Sequence, residues 1–306
     1  MDLSDLLIFK TVAEEGGIVK AAGRLHRVQS NVTTRIKQLE ASVGVELFFR
    51  DKQRLYLSPQ GQLLLSYANK LLGLAEEAKG AMSAGPPRGT LRLGALESTA
   101  ASRLPAILSD FHTCYPDVNI ELKTGTNDSL AMAVIERQLD AAFIAQAPAQ
   151  KELSSLPLFA EHLVLITALA HRHVAKAADV ASESVIAFPQ GCAYRRITER
   201  WLGSQMLVSM RILELSSYHA IVALVASGTG IAILPESVLA TVQSAQVRRH
   251  ELPKVLANVV TPLVWRTGEQ LPAVIALRDL AASKNKPSPR SARRASALPL
   301  SGVAVL

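Results

Sequence analysis

Cysteine is almost absent from this chain: Cys114 and Cys192 are the two it has in 306 residues. Two thiols without paired spacing make neither a disulfide framework nor the ligand set of a structural zinc site, and they point to a reducing compartment, the cytoplasm. Long apolar runs are also missing. The longest, residues 220–234, is interrupted by Ser227, Gly228, Thr229 and Gly230, which does not fit a membrane span. The opening MDLSDLLIFK lacks a basic region ahead of an apolar stretch, so it does not read as a signal peptide. Catalytic signatures are lacking too: no HExxH, GxSxG or P-loop pattern occurs, and the 7 histidines are scattered. His171-Arg172-His173 reads as a surface loop rather than a metal site. The expectation is therefore no enzyme, no cofactor and no metal.

With 49% apolar side chains, the chain can bury two or three compact cores. Its net charge of +7 is unevenly placed. Residues 283–306 hold Lys284, Lys286, Arg290, Arg293 and Arg294 without one acid, and supply +5 of that charge. Rich in Pro, Ser, Arg and Ala and free of periodicity, this segment reads as a disordered basic tail. A more local feature is the stretch between residues 16 and 39, where Lys20, Arg24, Arg27, Arg35 and Lys37 occur with neither Asp nor Glu. Such a concentration of cations suits a surface that faces phosphates.

Hydrophobic spacing divides the rest. Leu3, Leu6, Leu7, Phe9 and Val12 mark one face of a first helix, closed by Gly16-Gly17. A second, short helix spans residues 18–25, with Ala21 and Ala22 small enough for close crossing, and residues 26–28 form a turn. The third helix, about 29–43, repeats Val28, Val32, Ile36, Leu39 and Val43 at steps of four and three. Its opposite face carries Ser30, Thr33, Thr34, Lys37 and Gln38, short polar groups and cations able to approach base edges and phosphates. Two strand-like pieces, 47–50 and 55–57, form a hairpin wing whose tip presents Lys52 and Arg54. Ser58-Pro59 then starts a long helix, along which Leu64, Ala68, Leu71, Ala75, Ala78 and Met82 make a short heptad seam. The seam pairs with a second copy or packs on its own domain. Ala84-Gly85-Pro86-Pro87 reads as a hinge. Beyond residue 90, strand-like runs at 91–96, 119–123, 141–145, 163–167, 185–188, 231–234 and 260–265 alternate with helical ones, predicting α/β units with largely parallel sheets.

Phe9, Ala21-Ala22, Leu25, Gln29-Ser30, Thr33, Ile36, Leu39-Glu40, Gly44, Leu47-Phe48, Arg50, Ser58-Pro59 and Gly61 stand in one register. In that register the chain resembles the LysR-type transcriptional regulators. Leu93-Gly94-Ala95, Tyr115-Pro116, Leu139-Asp140-Ala141-Ala142 and residues 228–235 extend the resemblance to about residue 282. The resemblance implies a winged helix-turn-helix DNA-binding domain at 1–58, with the helix-turn-helix at about 18–37, and a linker and dimerisation helix with hinge at 59–87. It also implies a two-lobed α/β effector domain, like a periplasmic binding protein, at 88–282. Lobe I would hold 88–160 and 266–282 and lobe II 161–265, with chain crossings near Ala160-Glu161 and Trp265-Arg266. Expected partners are double-stranded DNA, a small-molecule effector, further copies of the chain up to a tetramer, and RNA polymerase. Gln29, Ser30, Thr33 and Thr34 would read bases, while Arg35, Lys37, Arg50, Lys52 and Arg54 would lie near phosphates or the minor groove. Gln29 and Ser30 could instead cap the third helix, and Arg50 could pair with Asp51 or Glu46. Ile18, Asn31 and Thr34 depart from the residues common in that family, so an operator cannot be carried over from relatives.

A ligand between lobes would sit at strand ends and helix N-termini. Ser98 and Thr99 are the first candidates, as ligand hydroxyls or as helix caps, joined by Thr126, Cys192, Tyr194, Arg195, Ser217 and Tyr218. Arg195 would supply a counter-charge to a carboxylate or amino acid; Glu97 would instead favour an amine. Cys192 resembles in position the reactive cysteine of peroxide-sensing relatives, but no second cysteine follows it closely.

Overall fold

The computed structural model describes residues 1–51, 54–82, 85–146, 150–242 and 246–284. The expectations for Lys52, for Ala84 and for the tail beyond residue 284 lie outside these residues. The polypeptide opens with α1 (Leu3–Glu15), α2 (Ile18–Arg24) and α3 (Gln29–Val43), followed by β1 (Phe48–Asp51) and β2 (Arg54–Leu57), which pair as an antiparallel hairpin. Asp2 starts α1 through a capping box with Asp5. Phe9, Val12, Ala21, Ala22, Val32, Ile36 and Leu39 close the core of this unit. Parts of the expected stripes stay wet: Leu3 and Leu7 on α1, Val28 just before α3 and Val43 at its end are exposed. Gly44 ends α3 in the left-handed conformation, φ 74°.

The long helix α4 (Pro59–Met82) is anchored by Ser58, whose hydroxyl accepts the Gly61 N–H at 2.9 Å and donates to the Glu46 carbonyl at 2.7 Å. A Cβ at Gly61 would fall 2.1 Å from the Leu47 carbonyl oxygen, so the helix meets the wing closely only because glycine stands there. The expected seam divides between two faces. Leu64 and Ala68 pack into the N-terminal core, whereas Leu63, Tyr67, Leu71, Leu74 and Met82 are exposed, the first two at 60% and 54%. The core-facing stripe is thus shared with α1, and the stripe left for another partner runs about one residue to its side.

In the C-terminal part come β3 (Gly89–Ala95), α5 (Glu97–Ser102), α6 (Leu104–Cys114), β4 (Val118–Thr124), α7 (Asn127–Ile135) and β5 (Ala141–Phe143). β6 (Leu153–Ala168), β7 (Val185–Ala187), α8 (Ala193–Leu202), α9 (Ser204–Ser209), β8 (Ile212–Glu214) and α10 (Tyr218–Ala226) follow. The series ends with β9 (Ala232–Pro235), α11 (Glu236–Leu239), β10 (Val247–Glu251), α12 (Lys254–Ala257), β11 (Asn258–Arg266) and α13 (Pro272–Lys284). β3 pairs in parallel with β4 and β5, but β6, β9, β10 and β11 meet one another antiparallel. The sheets are therefore mixed rather than largely parallel, because the two strands that cross between them run in opposite directions. β6 pairs through residues 153–162 with β11 and through 163–168 with β9 and β10. The return crossing lies earlier than expected: residues 263–265 already pair with β5, and the register shifts between Thr261 and Pro262. β8, β10 and the first half of β6 were not among the expected strands. β8 is short, β10 is charged and lies at an edge, and the first half of β6 is broken by Pro157 and lacks strict alternation.

Against β10, His171 and His173 approach His250, with ring centroids 6.3 and 5.6 Å away. His250 is buried; Nδ1 accepts the Val174 N–H at 3.1 Å and the other ring nitrogen meets the Thr167 hydroxyl at 2.9 Å. Burial, then His173, His171 and Arg248, hold its pKa below the ordinary 6.5. Above that value the folded and unfolded chains are both neutral here. As pH falls through it the unfolded chain gains a proton that the folded one resists, so this site loses stability in acid. Thermal denaturation at about pH 7.5 and about pH 5.5 should show a smaller acid loss in His250→Gln than in the parent protein; an equal loss would clear His250 of the effect.

Candidate functional site

The exposed face of α3 is built from its spacing. Gln29, Ser30, Thr34 and Lys37 are exposed and Thr33 half-buried, all opposite Val32, Ile36 and Leu39. The cap residue is Val28, and no side chain caps the helix. Gln29 and Ser30 are therefore helical residues whose side chains are not spent on capping, and the first-turn N–H groups point outward with the positive end of the helix dipole. Thr33 donates to the Gln29 carbonyl at 2.9 Å. The cations of the acid-free stretch behave differently from one another. Arg35 binds Asp5 at 3.0 Å and Asp2 at 3.3 Å, and Arg24 binds Glu14 and Glu15, each at 3.0 Å. Both were expected to add to a free basic face; the acids of α1, outside the stretch in sequence, neutralise them in space. Lys20, Arg27 and Lys37 are exposed without an ion pair among the described residues. Arg50 on β1 is likewise exposed and pairs with neither Asp51 nor Glu46; the adjacent Phe49 stacks on Tyr56 at 5.7 Å.

The second feature is a cavity of 210 Å³ between the two sheets. Leu96 and Glu97 enter from the end of β3, and Thr124, Gly125 and Thr126 from the end of β4. The far wall is Phe188, Pro189, Cys192 and Tyr194 around the start of α8, with Ser216 and Tyr218 at the start of α10. Phe188 packs against Tyr218 with ring centroids 4.7 Å apart. Thr126 caps α7 and Ser217 caps α10. Burial raises the pKa of both Tyr194 and Tyr218, so they are neutral phenols, and the Ser98 hydroxyl lies 3.5 Å from the Tyr194 oxygen. Glu97 is also raised, chiefly by burial, against the Tyr218 N–H that its carboxylate faces.

Residues 84–286 match the LysR substrate binding domain family, and residues 3–62 match the bacterial regulatory helix-turn-helix protein family of the lysR type. The chain belongs to the LysR family of transcriptional regulators. The HTH-type transcriptional regulator YusT of Bacillus subtilis, itself uncharacterised, is 38% identical over 87% of this chain and 90% of its own length. GltR of the same organism is 35% identical over 87% and 90%. A full-length OxyR variant from Pseudomonas aeruginosa superposes with a TM-score of 0.71 at 23% identity, covering 92% of this chain and 94% of that one. CbnR, solved with its target DNA, gives 0.64 at 22% identity, covering 92% and 99%.

As a LysR regulator, the protein carries a DNA-binding domain and a substrate-binding domain, and is not an enzyme. Of the residues expected around the effector, the structure brings Thr126, Cys192, Tyr194 and Tyr218 to one cavity. Ser98 stands behind it against the tyrosines, and Thr99 is buried away from it. The helix-cap alternative for these two falls, since Leu96 caps α5 through no side chain. Ser217 is turned to its cap, leaving Ser216 to face the cavity. Arg195 is withdrawn: buried, it donates to Glu199 at 2.6 Å and to the Phe188 carbonyl at 3.1 Å. Its neighbour Arg196 instead reaches across the cleft to Asp128 at 3.1 Å. One helical residue is about 100° of rotation, which sequence order alone does not resolve. Thr124, the last residue of β4, and Phe188, the first residue after β7, are unnamed from sequence and are placed by strands that end at the cleft.

Cys192 lies buried, and burial pushes its thiol pKa up despite Arg195, Arg196 and nearby N–H groups. Cys114 is exposed on the far end of α6. Alkylation by iodoacetamide near neutral pH, read by mass spectrometry, should modify Cys114 well before Cys192; preferential labelling of Cys192 would reverse this assignment and revive a redox role.

Proposed function

We propose that the protein is a cytoplasmic operator-binding regulator that reads DNA through α3 and the wing and responds to a small charged metabolite held between the two sheets. The observation that carries this reading is the uncapped, exposed face of α3; in this reading Gln29, Ser30, Thr33 and Thr34 contact bases, with Lys37 beside them. Exposed Val28 adds an apolar group suited to a thymine methyl. Arg50 and the wing residues Lys52 and Arg54 serve the backbone or minor groove; Arg35, held by Asp2 and Asp5, drops from the contact set. In this reading 1–58 form the DNA-binding domain, 59–87 the linker and hinge, and 88–282 the effector domain. Effector binding biases a two-state arrangement of a tetramer, altering the spacing of two DNA-bound dimers and their contact with RNA polymerase.

A mobility-shift assay against the DNA upstream of its own gene tests the core claim, and no shift at low salt would overturn it. Removing one cation that touches a phosphate should flatten the plot of log binding constant against log salt by about one unit. Lys37→Ala should do so, while Arg24→Ala, which removes an ion-paired cation, should leave the slope nearly unchanged. Equal slopes for the two variants would contradict the assignment of the free cations.

Self-association follows from the exposed stripe Leu63, Tyr67, Leu71, Leu74 and Met82 on α4. Five apolar side chains on one helix face suit a second copy of the same helix. Sedimentation should show dimers or tetramers for the parent chain and monomers for Leu63→Glu combined with Leu71→Glu. A parent protein that is monomeric at assay concentration would remove both oligomers from the reading.

A further inference from the structure

An effector domain with a cleft at helix N-termini is built to attract an anion, and here the protein puts its own carboxylate in that position. Glu97 is the first residue of α5, lines the cavity, and faces the backbone N–H of Tyr218 at the start of α10. Among the described lining residues it is the one charged side chain; the others are Leu96, Pro189, three aromatic rings, Cys192 and small polar groups. The two arginines that could have balanced it are occupied elsewhere, Arg195 by Glu199 and the Phe188 carbonyl, Arg196 by Asp128 at the cleft edge. His219, whose charge acts on Glu97, is exposed and outside the lining.

Resting on the reading of this cleft as the effector site, we propose that the effector is a small ammonium compound, whose charge pairs with Glu97 and whose apolar body packs on Phe188, Tyr194 and Tyr218. Ring faces attract cations, and neutral phenols do not compete with Glu97 for the charge. The raised pKa of Glu97 agrees: burial removes water that the Tyr218 N–H and the nearby His219 together do not replace, and a bound cation supplies what is missing. A carboxylate ligand would meet Glu97 as a like charge in a partly desolvated space and be rejected. The cavity, at 210 Å³, limits the ligand to a small metabolite.

The test is a thermal-shift comparison on the full chain with matched pairs: benzylamine against benzoate, tyramine against 4-hydroxyphenylacetate, putrescine against succinate, each at millimolar concentration. At least one amine should raise the melting temperature while its carboxylate partner does not, and Glu97→Gln should weaken that amine by about tenfold or more. Protection by the carboxylates, or by no amine at all, overturns the inference, as does undiminished amine binding by Glu97→Gln. The matched-pair comparison on the parent protein stands without the variant. DNA binding by the parent protein is measured alongside without probe: if DNA is bound and the amines are not, this inference alone fails and the regulator reading stands.

Discussion

The antiparallel pairing of β6 with β11 is the constraint on which the C-terminal half depends. At about 3.3 Å per residue, the 16 residues of β6 leave one sheet and continue as the backbone of the other. β11 runs back along it for residues 258–266. The two sheets are thus joined through paired strands instead of a loose tether. Where β6 crosses, Glu161 is buried and would be costly without donors. It receives Arg103, at the start of α6, at 2.7 Å and Ser237, on α11, at 2.6 Å, so one carboxylate ties helices from both sides to the crossing. The cleft walls are carried on either side of this joint, and its shape follows from the joint.

In the N-terminal unit the corresponding lesson concerns charge. A stretch of sequence without acids is not a surface without acids. Asp2, Asp5, Glu14 and Glu15 flank the stretch in sequence at one end and reach two of its five cations through the packing of α1 on α2 and α3. These pairs orient α3 relative to α1. They also leave Lys37, on the exposed face of α3, as the cation on the same side as Thr34, one helical turn away, and Ser30, about two turns away. The Arg24 pairs, which are exposed, contribute little to stability; their effect is on where free charge remains.

Much of this organisation is legible in the sequence, because it rests on periodicity. The three N-terminal helices, the hairpin and α4 announce themselves by spacing of apolar residues and by Gly44 and Ser58-Pro59, and a register of matched residues points to the family. The details that sequence misplaces share a cause. Choosing Arg195 over Arg196, Ser217 over Ser216, or Leu64 over Leu63 turns on about 100° of helical rotation or one step of a loop, and composition is silent on both. β10 escapes notice because Arg248, Arg249 and Glu251 face solvent on an edge strand, where alternation of polar residues resembles a loop. Glu97 is visible as an acid, but its lack of an arginine partner emerges only when Arg195 and Arg196 are seen turned away.

One strand connects the cleft to the linker helix. Near its middle, the Arg92 N–H and guanidinium bind Asp140 at 2.7 and 2.8 Å, and Arg92 also donates to the Arg137 carbonyl. Arg137 in turn holds Glu77 of α4 at 2.5 Å and lies over Gly73, where a Cβ would meet its side chain at 3.1 Å. Five residues beyond Arg92, about 17 Å of extended chain, Glu97 faces the cavity. β3 is hydrogen-bonded on both sides, to β4 and β5, so it moves with its sheet and does not bend alone. In the effector-site reading proposed above, a change in cleft closure would reach α4 as rotation of the first sheet about β6 and β11, registered at Glu77 and Arg137. Such a rotation is biased only by a ligand that binds one degree of closure better than another. In the proposed reading, a carboxylate that no arginine balances would give that preference to positive charge, because closing the cleft around Glu97 is unfavourable until something neutralises it.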